Sequence, residues 1–180
     1  MDSSSKPDAG PFPPKSWIAG VFAERQVALL AYTTARLNGR RDDARDVVQE
    51  AFVKLCQQSW PEIEDHATAW LYRTCRNRAI DIVRREKRMS TAKFQSDISD
   101  VPDVASPPDE STSRDEQLDH VRAQVGQLSP KQQEVLRLRL QDGLSYKQIA
   151  DVTGLTVSNV GFQLHDAISR LRQVLIPTSG

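Results

Sequence analysis

The stretch over residues 144–172, LSYKQIADVTGLTVSNVGFQLHDAISRLR, constrains the fold more than any other part of the chain. Ser145 is suited to begin a helix, because its hydroxyl can accept from backbone N–H groups left unpaired there. Gly154 is suited to end that helix, since glycine adopts the left-handed conformation at little cost. Thr156 then caps a second helix over residues 157–175. This spacing predicts a helix-turn-helix, whose second helix lies in a major groove of DNA.

The second helix of this stretch is predicted to be amphipathic. Its apolar residues repeat with the period of a helix, and they are Val160, Leu164, Ala167, Ile168, Leu171 and Leu175. The opposite face is polar and carries Ser158, Asn159, Gln163 and His165. An ordinary helical hairpin in an all-α core has the same local pattern. The remainder of the chain therefore has to decide between the two interpretations.

Charge is balanced over the 180 residues, with 24 basic and 24 acidic groups, but it is unevenly distributed. Residues 1–93 carry 16 basic and 12 acidic groups, and residues 118–180 carry 7 and 5. Residues 94–117 between them carry 1 basic and 7 acidic groups. Two mildly basic segments thus flank an acidic one. Because the charges balance over the whole chain, its net charge does not by itself indicate a nucleic-acid partner.

The sequence has no signal of a membrane, secreted or metal-binding protein. No apolar run is long enough to span a bilayer, and the N-terminal residues lack the basic and apolar regions of a secretory signal. Cys56 and Cys75 have neither metal-site nor disulfide spacing, so we expect reduced thiols. We therefore predict a cytoplasmic protein without membrane insertion, metal or cofactor.

The order of these patterns predicts an all-α chain of two small helical domains joined by a flexible acidic linker. Residues 1–15 are rich in Pro and Ser and are predicted to be a disordered tail. Residues 16–88 form the first domain. Residues 89–116 lack apolar periodicity and are too long and polar for an ordinary loop, which indicates the linker. Residues 117–176 form the second domain, which contains the helix-turn-helix.

The first domain is predicted to contain helices over residues 16–37, 42–58 and 67–88, with Ser16 capping the first of them. A loop begins at Trp60 and Pro61. The middle helix is amphipathic, and its polar face presents Asp46, Gln49 and Glu50. The third helix is strongly basic in its second half. Basic residues interleaved with aromatic ones suit a single strand whose bases stack while its phosphates meet arginines, although a solubilising basic face has the same composition.

These segments together resemble one protein family. DDARDVVQEAFVKL resembles the helix by which sigma factors grip the clamp of bacterial RNA polymerase, and AWLYRTCRNRAIDIVRR resembles the helix that melts and reads the minus-ten promoter element. LSPKQQEVLRLRLQDGLSYKQIADVTGLTVSNV resembles the fourth sigma region, which reads the minus-thirty-five element. Two such blocks in this order, without a folded domain between them, resemble the extracytoplasmic-function group. Two blocks are far more specific than either alone.

The resemblance implies three sets of site residues. The core polymerase would be engaged or supported by Asp46, Gln49, Glu50 and Phe52. The minus-ten element would be bound by Trp70, Arg73, Arg76, Asn77, Arg84 and Arg85, with the loop over residues 61–67 helping to hold a flipped base. The minus-thirty-five element would be bound by Lys147, Ser158, Asn159, Gln163, His165 and Arg170.

The sequence departs from the family pattern in two places. Arg45 stands where the family usually has an acid. In the recognition helix, Gly161, Phe162, Gln163 and Asp166 occupy places where Arg, Lys or Ser are common. A less basic helix gains less from counterion release, and Asp166 would repel phosphate if it faced the DNA backbone.

The resemblance implies a sigma factor that binds core RNA polymerase and directs transcription initiation at a restricted set of promoters. Its partners would be core polymerase and promoter DNA, with an anti-sigma factor as a further candidate, and it would not be an enzyme. The alternative is a stand-alone helix-turn-helix regulator that does not bind core polymerase. An enzyme is disfavoured because His66, His120 and His165 are widely spaced and no catalytic motif accompanies them. We also hypothesise that the two domains fold against each other, or against an inhibitor, when polymerase is absent.

Overall fold

The computed structural model describes residues 10–93 and 113–175, and within these ranges the chain is helical without any strand. The predicted all-α class is therefore confirmed. The helices of the described residues are α1 (Lys15–Arg36), α2 (Arg41–Leu55), α3 (Trp60–Ile63), α4 (Ala67–Lys93), α5 (Ser113–Gly126), α6 (Pro130–Leu140), α7 (Tyr146–Thr153) and α8 (Val157–Leu175).

The first four helices form an N-terminal bundle in which α1, α2 and α4 pack against one another. The apolar face of α2 is buried as its periodicity predicts, from Ala44 through to Leu55. It packs with Leu29 of α1 and Leu71 of α4, both of which are fully buried. Asn38 and Gly39 have φ values of 54° and 86°, and this left-handed turn lets α2 fold back on α1.

The last four helices form a C-terminal bundle in which α8 contacts α5, α6 and α7. Ser145 and Gln148 cap α7 reciprocally, because each side chain bonds to the other residue's backbone N–H. Gly154 ends α7 in the left-handed conformation at φ 74°. The predicted helix-turn-helix geometry is thus present, with α7 as its first helix and α8 as its second.

Three details of the N-terminal bundle differ from the sequence prediction. Helix α1 begins at Lys15, and its N-cap is Pro14 rather than Ser16. Residues 10–14 belong to the predicted disordered tail, yet the carbonyl of Pro11 accepts a hydrogen bond of 3.0 Å from the backbone N–H of Trp60. The remainder of that tail, residues 1–9, lies outside the described residues. In the predicted loop, α3 forms one helical turn, because proline is tolerated in the first turn of a helix.

The helices also extend into the segment 89–116 that the sequence predicts to be the linker. Helix α4 continues to Lys93, and α5 already begins at Ser113. Polar, good helix-forming residues can prolong an exposed helix beyond the point at which its apolar repeat ends. Residues 94–112, the central part of the predicted linker, lie outside the described residues.

The two bundles contact each other. Helix α4 packs against α7, and the buried apolar side chains of both bundles belong to one connected cluster. The packing of the helix-turn-helix against the longest helix of the N-terminal bundle determines how the candidate sites are presented.

Two glycines of the helix-turn-helix should respond oppositely to alanine. Gly154→Ala should lower the free energy of unfolding by about 1 kcal/mol or more, because an L side chain is strained in the left-handed conformation. Gly161→Ala should raise it by up to about 1 kcal/mol, since Gly161 lies within α8 and its new Cβ would meet only Tyr146 at an ordinary 3.6 Å. Urea unfolding of the full chain measures both. Shifts in the same direction would contradict the assigned helix boundary.

Candidate functional site

One exposed face of α2 is formed by Asp46, Gln49, Glu50 and Val53, whose spacing of i, i+3, i+4 and i+7 places them together. We call these four residues the α2 face. Val53 is 59% exposed at its end. Val53 was not among the predicted site residues, although an apolar residue in register with a polar face was a usable signal. Phe52 points the other way, since it is 6% exposed and stacks edge-on against Phe22 at 4.9 Å between ring centroids.

Glu50 is the only member of the α2 face for which the structure gives ion pairs. Its carboxylate accepts from Lys54 Nζ at 2.7 Å and from Arg78 Nε at 3.1 Å. The hydrogen bond from Lys54, followed by the charges of Lys54 and Arg78, holds the pKa of Glu50 below its usual value despite partial desolvation. Glu50 therefore stays ionised, and it ties α2 to α4 in addition to contributing charge to the surface.

The predicted minus-ten residues lie along α4. Trp70, Arg73, Asn77 and Arg84 share one side of the helix at i, i+3, i+7 and i+14, and we call this side the α4 face. Arg73, Asn77 and Arg84 are exposed, as is the neighbouring Arg85, whereas Trp70 is half-buried. The α4 face and the neighbouring Arg85 thus present three cationic groups and an amide to solvent beside one partly covered aromatic ring.

A cleft of about 410 Å³ opens beside Trp70 and Arg73. Its walls come from both bundles, because Lys147 and Asp151 of α7 face the N-terminal residues across it. The loop over residues 61–67, which is predicted to help hold a flipped base, contributes His66. We call this space the α4–α7 cleft. It brings Lys147, a predicted minus-thirty-five residue, next to two predicted minus-ten residues.

Arg76 differs from the other predicted minus-ten residues because it is only half-exposed and faces the C-terminal bundle. Its Nε donates to Glu134 of α6 at 2.9 Å. Burial lowers the pKa of Arg76, but its hydrogen bond and charge interaction with Glu134 outweigh that effect and raise the pKa overall. In this arrangement the charge of Arg76 is directed at a carboxylate, so its predicted contact with a DNA phosphate requires the two bundles to separate.

The exposed face of α8 contains the predicted base-contacting residues. Ser158, Asn159 and His165 are exposed, and the half-buried Gln163 donates from Nε2 to Asn159 Oδ1 at 3.2 Å. Phe162 lies between Ser158 and His165 on the same face and is 66% exposed. We use the term α8 face for Ser158, Phe162 and His165 together with Asn159 and Gln163 at their side. Its centre is therefore an aromatic ring.

Asp166 interacts mainly within its own bundle. Its carboxylate accepts from Gln132 Nε2 at 2.5 Å and pairs with Arg170 Nε at 3.1 Å. The sequence raised the concern that Asp166 would repel a phosphate, and these two contacts offset part of its charge. The same ion pair reduces the net positive charge that Arg170, although 61% exposed, offers to DNA.

Within the part of the chain that the structure describes, no group of three or more His, Cys, Asp or Glu residues is placed to hold a metal ion. None of the helices in residues 10–93 and 113–175 combines the length and the apolarity that a membrane span requires. Cys56 is exposed, whereas Cys75 is buried.

Comparison with known proteins assigns both bundles. The family described as "Sigma-70 region 2" matches residues 22–89, and the family described as "Sigma-70, region 4" matches residues 118–171. The chain is 30% identical over 154 residues to the RNA polymerase sigma-E factor of Streptomyces coelicolor. This match covers 84% of this chain and 82% of that protein. The chain is 29% identical over 151 residues to the ECF RNA polymerase sigma factor SigE of Mycolicibacterium smegmatis.

The second of these matches covers 83% of this chain but only 57% of SigE, so the chain spans little more than half of that relative's length. Among solved structures, the fold is similar to that of the sigma factor RpoE in its co-crystal structure with the anti-sigma factor NepR from Bartonella quintana. The TM-score is 0.62 at 23% sequence identity, over 92% of this chain and 99% of that one.

The two cysteines should differ sharply in reactivity. Burial raises the pKa of the Cys75 thiol to about 12, so almost no thiolate forms near pH 8, whereas Cys56 is exposed. An aromatic disulfide reagent should therefore titrate one thiol rapidly in the folded chain and two in urea. Two rapid thiols in the folded chain would show that the contact between α1 and α4 around Cys75 is not as described.

Proposed function

The chain belongs to the extracytoplasmic-function group of the sigma-70 family, and from this premise we propose that it directs core RNA polymerase to a restricted set of promoters. The observation that supports this most strongly is the presence of the α2 face, the α4 face and the α8 face on one chain. A stand-alone helix-turn-helix regulator needs only the last of them. The α2 face has the chemistry of a protein contact, and the α4 face has that of a nucleic-acid contact.

In this proposal the α2 face binds a basic surface of core polymerase. Asp46 offers an exposed charge, and the ionised Glu50 adds a second. Val53 supplies apolar area among these polar groups, as contact centres in protein interfaces commonly do. Phe52 acts indirectly, because its ring packs under the face and fixes the position of α2.

The α4 face binds the melted minus-ten strand. Arg73, Arg84 and Arg85 are exposed and suited to phosphates, while Trp70 offers a ring on which a base can stack. Asn77 is exposed beside them and has both a donor and an acceptor for a base edge. Trp70 also belongs to the N-terminal wall of the α4–α7 cleft, and its ring becomes accessible to an extruded base when α7 moves away.

The α8 face binds the minus-thirty-five element in the major groove. Ser158, Asn159, Gln163 and His165 have hydrogen-bonding groups for base edges, and Lys147 and Arg170 are the candidate phosphate contacts. Phe162 adds a contact of another kind. An exposed aromatic ring at the centre of such a face is suited to the C5-methyl group of thymine, the one apolar group in the major groove.

We further propose that the protein is not itself an enzyme, acts in the cytoplasm where core polymerase is found, and is a candidate for control by an anti-sigma factor. Family membership supports the first two points. The third is supported by the fold similarity to RpoE, whose co-crystal structure contains the anti-sigma factor NepR. The domain limits 16–88, 89–116 and 117–176 remain a proposal.

The test of this function is capture of purified bacterial core polymerase by the full chain, followed by transcription from a pool of genomic promoter fragments. We expect polymerase binding and selective transcripts. Asp46→Lys should weaken polymerase binding about 10-fold, because it opposes a basic partner with like charge. Glu24→Lys is the matched control, since Glu24 is an exposed acid of α1 outside the α2 face, and its binding should be unchanged. Duplex DNA bound without any polymerase binding would favour the stand-alone regulator.

The role of Phe162 predicts sensitivity to a single methyl group. Once a promoter is known, replacing one thymine of the minus-thirty-five element by deoxyuridine should weaken wild-type binding about 4-fold, as expected for loss of one buried methyl. Phe162→Ala should bind the two DNAs equally, whereas His165→Ala should keep the difference. The role of Phe162 would be refuted if no single replacement of thymine by deoxyuridine weakened wild-type binding. It would also be refuted if Phe162→Ala still bound the thymine-containing DNA more tightly.

A further inference from the structure

Beside the packing of α4 against α7, the contact between the two bundles contains one buried carboxylate. Glu134 belongs to α6 of the C-terminal bundle and is only 8% exposed. Tyr32 Oη donates to it at 2.7 Å, Arg76 donates from Nε at 2.9 Å, and Arg36 Nη1 lies 3.4 Å away. All three partners belong to the N-terminal bundle. The side chain of Glu134 thus finds its compensating charges in the other bundle.

This arrangement is a preformed site for a carboxylate. A buried acid is tolerated only where cations and donors replace its hydration, and here two guanidinium groups and a phenol converge on it. Burial, followed by the charge and hydrogen bond of Glu134, raises the pKa of Tyr32, so its hydroxyl stays a donor. Tyr32 is 1% exposed, and this side of the site is therefore built into the core of the N-terminal bundle.

Closure of the bundles conflicts with the use of both DNA faces. The minus-ten and minus-thirty-five elements are named for positions about 25 base pairs apart, which at about 3.4 Å per pair is about 85 Å along the duplex. In the structure, Lys147 of the helix-turn-helix lines the same cleft as Trp70 and Arg73. Arg76 is meanwhile occupied by Glu134. The closed chain therefore cannot place α4 and α8 on the two elements at once.

We propose that Tyr32, Arg36 and Arg76 form a carboxylate-binding site that Glu134 fills in cis, and that this contact closes the free protein until core polymerase separates the bundles. The inhibitory segment is part of the DNA-binding bundle itself, and it engages an arginine of the minus-ten set. The biological consequence rests on the proposed function, but closure itself does not depend on it.

The experiment uses the full chain with a fluorescent donor and acceptor on Cys56 and on a cysteine introduced by Gln127→Cys. Both positions are exposed, they lie in different bundles, and Cys75 is buried. Energy transfer then measures the separation of the bundles, and circular dichroism measures helix content. We expect high transfer in the free protein and a clear loss of transfer for Glu134→Lys at unchanged helix content.

A charge exchange separates a specific contact from general weakening. Combining Glu134→Lys with Arg76→Glu should restore part of the transfer, because the pair is re-formed with its signs reversed. Asp166→Asn is the matched control, since it removes a carboxylate whose two contacts among the described residues, Gln132 and Arg170, belong to the same bundle, and it should leave the transfer unchanged. If Glu134→Lys fails to fold, Tyr32→Phe removes one bond to Glu134 and should still lower the transfer.

Titration with core polymerase tests the consequence. If the bundles must open before polymerase binds, the apparent affinity of the wild type is lowered because only the open fraction can bind. Glu134→Gln weakens the closed state, so it should bind core polymerase roughly 10-fold more tightly than wild type. The proposal would be overturned by any of three results. Energy transfer could be unchanged in folded Glu134→Lys, it could fall equally in Asp166→Asn, or it could fail to recover in the variant that combines Glu134→Lys with Arg76→Glu. Variants that open as expected but never bind polymerase would leave the cis contact standing and refute the proposed function instead.

Discussion

The carboxylate of Glu134 is the group on which the arrangement of this molecule depends. It is buried between two helical bundles, where Tyr32, Arg36 and Arg76 surround it in place of water. Its partners are separated from it by 58 residues or more along the chain. The contact therefore holds together parts of the chain that local interactions alone would leave independent. Removing one side leaves an uncompensated charge on the other, so the interaction is sensitive to single substitutions.

The same contact places the functional faces in competition. The α2 face remains exposed in the closed chain, whereas the α4 face is partly covered by α7 across the α4–α7 cleft. In the proposed function, a polymerase would therefore contact α2 first, before either promoter element is engaged. The part of the interface around Glu134 is built on charge compensation, which suits a reversible contact because water and a new set of charges can replace its bonds. The recognition helix is itself weakly basic, which limits unselective binding to DNA.

Local patterns predicted most of the fold. The apolar repeat of α2, the cap at Ser145 and the left-handed Gly154 depend on neighbours within a few residues, and all three are present in the structure. The contacts that were missed depend on distant partners. The bond between Pro11 and Trp60 orders part of a predicted tail, and Glu134 accepts from Tyr32 across 102 residues. Phe162 was noticed as an unusual residue, but its central place on the α8 face required the orientation of the whole helix.

Small-angle X-ray scattering from the free 180-residue chain measures whether the two bundles are joined, and it needs no label or substitution. A compact chain of 180 residues has a radius of gyration of about 16 Å. If the Glu134 contact closes the free chain, we expect a value close to this, with a single-peaked distance distribution. A radius of gyration above about 22 Å with a second peak, as two separated bundles of this size produce, would contradict it.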